Sequence, residues 1–390
     1  MRRKLELIYF DAGGGHRAAA HALQEVIRQQ QRPWDLELVN LFEVLDPQGM
    51  FRKLTGAAPE AYYNRRLARG WTVGLAQELR VLQGLIRLFH TSLVTRLQRH
   101  WDTHRPDLVV SLIPNFNRAL FEAAQSRLPG VPYVTVLTDM ADHPPHFWIE
   151  PGQRQHIVCG TARALAQARA AGYEDEQLSL TSGMLLRPSF YAPRLADRSA
   201  AMLALGLDPA QPTGIVMFGG QGSMQMLRIA RELGDRQLIL MCGHNQALAE
   251  RLRAQPSEAP HAVVGFTQDV ARHLQLADYF IGKPGPGSLS EALQQGLPVI
   301  TLSGAAIMPQ ERYNVVWLTQ AGFGLALPSW REVARGVAEM VDHLPVFQAR
   351  VRRYDNRAIF EVPEIFAALM AHARSPAGPA ERWLDAALVA

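Results

Sequence analysis

The chain has 390 residues, 48% of them apolar and 19% charged, with a formal net charge of +4. That length exceeds one ordinary hydrophobic core, and the composition excludes a disordered chain. No apolar run reaches the ~18 residues of a membrane-spanning helix, and the two cysteines, Cys159 and Cys242, are expected as separate buried thiols of a reducing compartment, neither a disulfide nor metal ligands.

The first segment, MRRKLELIYF, is basic but runs straight into a strand, Leu5 to Phe10, and is not expected to be a secretory signal. Gly13-Gly14-Gly15 makes a turn, and Arg17 to Gln30 reads as a helix with Ala18, Ala22 and Val26 on one face. Gly13, Gly15 and Ala18 also satisfy the loose dinucleotide fingerprint G-x-G-x-x-A, with Asp35 and Glu37 about twenty residues on. A nicotinamide dehydrogenase is therefore a rival reading, although Asn40 and not an acid ends the second strand. His16 stands at the mouth of the loop, where the positive end of the helix dipole is expected to keep its imidazole neutral and ready to accept a proton. The plainer alternative is a polar histidine capping its own loop.

Between Arg52 and Arg105 there are ten basic residues against three acids, Glu60, Glu78 and Asp102, interleaved with Tyr62, Tyr63, Trp71, Leu79, Leu82, Leu85, Ile86 and Phe89. Such a stretch can face nucleic acid or an anionic membrane; a solvated helix face over the core fits the same pattern. Buried strands are expected at Leu108 to Leu112 and Val131 to Leu137, with shorter ones at Ile157 to Cys159 and Ser179 to Thr181. In Thr138 to Trp148, TDMADHPPHFW, Asp139 ends a buried strand and is the candidate active-site carboxylate. His143 and His146 have H-x-x-H spacing, but Pro144 and Pro145 exclude a helix and no third ligand accompanies them, so no metal site is expected.

Prolines at 188, 193, 209 and 212 mark an interdomain linker. Strand-helix alternation then restarts: Ile215 to Phe218, Gln237 to Cys242, Val263-Val264, Tyr279 to Ile281, Val299 to Leu302 and Gly324 to Leu327 are strands with helices between. The fold class is α/β: two Rossmann-like domains of parallel sheet with a cleft between them, residues 1–186 and 213–342, joined by a linker at 187–212 and followed at 343–390 by a helix and a loose tail after Ser375. Ligands in such folds bind at the C-terminal ends of the strands.

Three turns stand at such ends: Gly219-Gly220-Gln221-Gly222-Ser223, Gly243-His244-Asn245 and Gly265-Phe266. Phe266 could face a planar base or pack in the core. The stretch Gly282 to Gly296, GKPGPGSLSEALQQG, runs from a strand through a glycine-proline loop into a helix expected from Ser288 to Gln295. Its free N–H groups and dipole would hold an anion such as a diphosphate, and Glu291, one turn in, could take hydrogen bonds from a ribose. Pro309-Gln310-Glu311 with Asn314 either caps a helix or bonds sugar hydroxyls, and its place beside the anion loop favours the sugar.

DAGGGHRAAA, TDMADHPPHFW, SGMLLRPSF, MCGHN, the Gly282 stretch and PQERYN, in this order and spacing, resemble the monogalactosyldiacylglycerol synthase branch of glycosyltransferase family 28, with the peptidoglycan N-acetylglucosaminyltransferase more distant. The resemblance covers roughly Leu5 to Pro328. It implies a GT-B fold and inverting transfer of a hexose from a UDP-sugar to a membrane lipid, diacylglycerol above all. A lipid-linked N-acetylglucosaminyltransferase and a sugar-nucleotide 2-epimerase are the alternatives. By similarity His16 matches the catalytic base, Gly285, Pro286, Gly287 and Ser288 the phosphate loop, Glu291 the ribose carboxylate, and Gln310 and Glu311 the sugar-contacting pair. Gly219 to Ser223, Gly243, His244, Asn245, Gly265, Phe266, Lys283 and Asn314 complete the expected UDP-sugar wall. Gly14, Gly15, Trp71, Arg80, Arg87 and Phe89 are expected toward the acceptor and the membrane. No cofactor, essential metal or nucleic acid is expected. The expected place is the cytoplasmic face of the cell membrane, held peripherally by anionic lipid.

Overall fold

A computed structural model describes residues 2–11, 14–47, 49, 75–304 and 307–373, the side chains of 75–80 excepted. Two six-stranded sheets organise it. The first comprises β1 (Arg3–Tyr9), β2 (Trp34–Asn40), β3 (Leu108–Ser111), β4 (Tyr133–Val136), β5 (His156–Cys159) and β6 (Leu178–Leu180), in the order β2-β1-β3-β4-β5-β6. The second comprises β7 (Thr213–Met217), β8 (Gln237–Gly243), β9 (His261–Gly265), β10 (Tyr279–Gly282), β11 (Val299–Leu302) and β12 (Gly324–Leu327), in the order β12-β11-β10-β7-β8-β9. Every pairing is parallel.

The apolar runs form strands because helices cover both faces of each sheet, so both sides of a strand must be apolar. Along β1, Leu5 and Leu7 enter one core with Leu23, Val26 and Ile27, while Ile8 enters the opposite core with Leu97, Trp101 and Leu120. Likewise Ile215 and Met217 of β7 pack on one face and Val216 on the other. The strand order reverses between β1 and β3 and again between β7 and β10. Adjacent loops part at such switch points and open a crevice.

The linker region is partly ordered, with a turn of helix at Pro188–Tyr191 and a helix at Arg198–Ala204; Phe190 is buried in the core of the second sheet. Beyond Leu344–Val351 the chain crosses back. The helix Ala358–His372 buries Ile359, Val362, Phe366 and Met370 against the first helix, Gly15–Gln29, in the core of the first sheet. At the crossing, buried Asn356 donates through Nδ2 to the Met184 carbonyl (2.8 Å) and accepts from the Ala358 N–H (3.1 Å). The two units are thus joined by two strands of chain tied to each other. Among the described residues no helix is long and apolar enough to cross a membrane.

Candidate active site

The helix that opens the Gly282 stretch runs Pro286–Gln294, starting two residues earlier than its sequence pattern predicts. Proline fits the first helical position because the N–H it lacks has no partner there anyway. Gly285 is the N-cap and no side chain caps the turn, so the N–H groups of Gly287 and Ser288 are left for a ligand. Lys283 Nζ stands 3.5 Å from the buried Glu311 Oε1. Glu291 lies one turn into the helix, and desolvation lifts its carboxyl to about 7 against the opposing pull of Arg187. Asn314 is fully buried and donates through Nδ2 to the Pro284 carbonyl at 2.8 Å. It reaches the loop, not the cleft where a sugar hydroxyl was expected. Gln310 is half-buried, its amide against the Met308 sulfur.

The turns after β7 and β8 are built on one another. The His244 N–H donates to the Gly220 carbonyl (2.8 Å), and Gly243 sits at φ +57°, where a Cβ would come within 2.2 Å of that same oxygen. Only glycine fits there. Asn245 spends its side-chain oxygen capping the helix Gln246–Arg253 and turns Nδ2 toward the Gln221 carbonyl. Ser223 accepts from the Gln225 N–H in the same manner. Phe266, just past Gly265, is 57% exposed and stacks on His244 with ring centroids 3.9 Å apart and planes 20° apart. The core alternative for Phe266 is thereby excluded, and the pair presents a flat aromatic face at the ends of β8 and β9.

The other wall comes from the first sheet. Gly14, at φ +80°, caps the first helix, and His16 is its second residue. Its Nδ1 lies 3.0 Å from Thr138 Oγ1, and its ring centroid lies 5.8 Å from that of Trp148. The pKa of His16 falls to about 4, and the cause is desolvation by burial, opposed by a hydrogen bond to the Leu112 backbone. The expectation of a lowered pKa holds, but burial produces it where the helix dipole was invoked. Asp139 follows β4 and accepts from Trp148 Nε1 at 2.9 Å. Burial raises it to about 7; Glu311 and Asp142 push it further up, while the Trp148 bond and Lys283 pull it down. Since Glu311 and Lys283 belong to the second sheet, these effects bring the two walls face to face.

Three residues not singled out in the sequence build this wall. Trp148 is fully buried, and Asp142 accepts its backbone N–H at 2.7 Å and that of His146 at 3.0 Å. Asn117, also buried, donates to the Trp148 carbonyl at 3.0 Å. An indole at the end of a polar loop after a buried strand was the available signal. His146 turns Nδ1 toward the Ile149 carbonyl (3.4 Å), and among the described residues no three His, Cys, Asp or Glu side chains form a metal cluster. Both cysteines are buried and free, their thiols pushed up to about 12 at Cys159 and about 11 at Cys242. Asp35 pairs with Arg2, Glu37 faces His104, and Asn40 caps a short helix at the end of β2, so among the described residues no acid ends that strand as a dinucleotide ribose would need.

Of the acceptor-side residues, Trp71 and the Arg80 side chain lie outside the described residues. Gly15 opens the first helix. Arg87 is exposed on the helix Leu75–Leu88, which also shows Val81, Leu82, Leu85 and Leu88 to solvent, with Phe89 56% exposed just beyond it.

No family model matches the chain. It is 27% identical over 368 residues to monogalactosyldiacylglycerol synthase 1, chloroplastic, of Arabidopsis thaliana, covering 86% of this chain and 64% of that protein. It is 29% identical over 379 residues to a chloroplastic monogalactosyldiacylglycerol synthase 2 of Oryza sativa subsp. japonica, covering 90% and 76%. The chain thus spans slightly under two thirds of the Arabidopsis protein's length. Among solved structures, the calicheamicin glycosyltransferase superposes with a TM-score of 0.61 at 15% identity, covering 96% of this chain and 100% of that one. MurG of Acinetobacter baumannii gives 0.57 at 12%, covering 94% and 99%. A protein described as a UDP-N-acetylglucosamine 2-epimerase, from Listeria monocytogenes, gives 0.59 at 12%, covering 97% and 99%. The fold is GT-B, and the similarity to monogalactosyldiacylglycerol synthases runs through most of the chain.

Proposed function

We propose that this chain is an inverting glycosyltransferase that moves a hexose from a UDP-sugar to diacylglycerol at a membrane surface. The observation that carries the reading is the pairing of an uncapped helix start at Gly285 with a neutral, half-buried His16 on the facing wall, in a chain similar along most of its length to monogalactosyldiacylglycerol synthases.

The diphosphate rests over the N–H groups of Gly287 and Ser288, with Lys283 beside it, and the uracil lies on Phe266. Glu291 takes the ribose hydroxyls, and Gln310 and Glu311 meet the sugar. With its pKa lowered to about 4, His16 is neutral at pH 7, and the ring nitrogen that carries no hydrogen is the acceptor. The acceptor hydroxyl oxygen forms its bond to the sugar's anomeric carbon as the bond from that carbon to the UDP oxygen breaks. The hydroxyl proton passes to His16, and the electron pair leaves with UDP. Charge grows on the diphosphate, where preorganised N–H groups stabilise it most. Asp139, against the same Trp148 as His16, steadies the imidazolium once formed. The helix start and Lys283 supply the positive charge this step needs, so no essential metal is part of the reading.

The exposed apolar residues Val81, Leu82, Leu85, Leu88 and Phe89, with Arg87 among them, support peripheral docking on anionic lipid at the inner face of the cell membrane. The test is turnover of purified chain with UDP-galactose, UDP-glucose and UDP-N-acetylglucosamine, with and without diacylglycerol in vesicles, read by mass spectrometry. A glycosyldiacylglycerol formed with release of UDP is expected. Formation of the C2 epimer, N-acetylmannosamine free or UDP-linked, from UDP-N-acetylglucosamine without acceptor would replace this reading with the epimerase that shares the fold.

A further inference from the structure

Three successive residues, the last of β10 and the first two of the loop before the Pro286–Gln294 helix, are each tied to the next strand-loop-helix unit. Thr301 Oγ1, on β11, donates to the Gly282 carbonyl at 2.8 Å. Lys283 Nζ meets Glu311 at 3.5 Å. Asn314 Nδ2 donates to the Pro284 carbonyl at 2.8 Å. Thr301 and Asn314 have no exposed surface, so neither can touch a ligand in this conformation.

We propose that Thr301 and Asn314 are positioning residues that aim the diphosphate seat by holding the carbonyls of Gly282 and Pro284. The proposal rests on the reading that the seat takes a UDP-sugar. Between the end of β10 and the helix, the Gly285 N-cap has no side-chain partner. The direction in which the Gly287 and Ser288 N–H groups point is therefore set by the loop, and hydrogen bonds to an anion weaken steeply as their angle opens. Asn314 also keeps its Oδ1 buried without a partner among the described residues. An orphaned buried oxygen is destabilising, so an apolar side chain of the same size would serve packing better; the amide is explained by its donor bond. The unit that pins the loop also carries Gln310 and Glu311. A sugar that displaces either one shifts the elements that aim the phosphate seat, which links sugar fit to leaving-group stabilisation.

The experiment is calorimetric titration of the full chain and its Thr301→Val and Asn314→Ala variants with uridine and with UDP. Thr301→Val removes one hydroxyl at nearly constant volume and stands alone should Asn314→Ala fail to fold. Each variant is expected to bind UDP about tenfold more weakly, the scale of one charge-assisted hydrogen bond set, with uridine affinity within about twofold, because base and ribose rest on Phe266 and Glu291. Equal loss for both ligands, or undiminished UDP binding by Thr301→Val, would overturn the proposal. Failure of the unaltered chain to bind either ligand would remove the nucleotide reading itself, a different result from either.

Discussion

Replacing Asp139 by Asn should stabilise the protein while abolishing its turnover. The Asp139 carboxyl is lifted from 3.8 to about 7, first by burial and then by the nearby Glu311 and Asp142. A raised carboxyl means that the folded state binds the proton more tightly than the unfolded chain does. The stabilisation from that proton is complete below the ordinary carboxylate range and is lost as pH rises from about 4 to about 7. Above pH 7 the folded protein carries the full penalty of an ionised, desolvated group. At about 1.4 kcal/mol per decade the ceiling is about 4 kcal/mol. Asp139 keeps some exposure to the cleft, and solvent there reduces this to about 1–2 kcal/mol. Asparagine can still accept from Trp148 Nε1 and does not titrate. Thermal melts from pH 5 to 8.5 should show Asp139→Asn melting about 2–5 °C higher at pH 8, with the gap closing toward pH 5. A variant melting no higher than the parent at pH 8 would show that the carboxylate is not held at a cost, and the argument from its burial would fail.

His16→Ala should lower kcat by about 10²–10⁴-fold while calorimetry finds UDP affinity unchanged; normal turnover would remove His16 as the base. Because the Glu291 carboxyl is raised to about 7, uridine should bind more tightly as pH rises from 6 to 8 and the carboxylate becomes a full acceptor for the ribose hydroxyls. Glu291→Gln should flatten that dependence, and a parent with pH-independent uridine binding would contradict the ribose role. Leu85→Glu with Phe89→Glu should cut flotation with anionic vesicles about tenfold or more, without affecting turnover of a detergent-dispersed acceptor. Binding that ignores either the substitutions or the lipid charge would end the docking idea.

Much of the frame is local and therefore legible. A strand buried on both faces must be apolar at nearly every position, so β1, β3, β4, β7, β8 and β10 stand out as runs, and the glycine turns at their ends mark where loops gather. Pro286 illustrates the limit of that reading: a helix start was evident, but its first residue depended on proline's fit to a position that needs no N–H. The helix Ala358–His372 carries an apolar face that any core could take. Only the packed structure shows that it returns to the first sheet, to cover Leu23 and Ile27.

The site divides in the same way. Sequence by itself determined the residue types that chemistry needs: His16 after a glycine turn, a carboxylate at Asp139, a glycine-proline loop ahead of a helix, and Glu291 one turn inside it. These are properties of neighbouring residues, written along one stretch of chain. Tertiary structure alone decided their states and partners. His16 is neutral because of what surrounds it, Asp139 is raised first by burial and then by Glu311 of the facing unit and Asp142 of its own, and Phe266 is a surface and not a core ring. Asn314 holds a loop thirty residues away in place of a ligand. Desolvation and charge act through space, between residues that the chain separates by more than a hundred positions, and no local pattern records that distance.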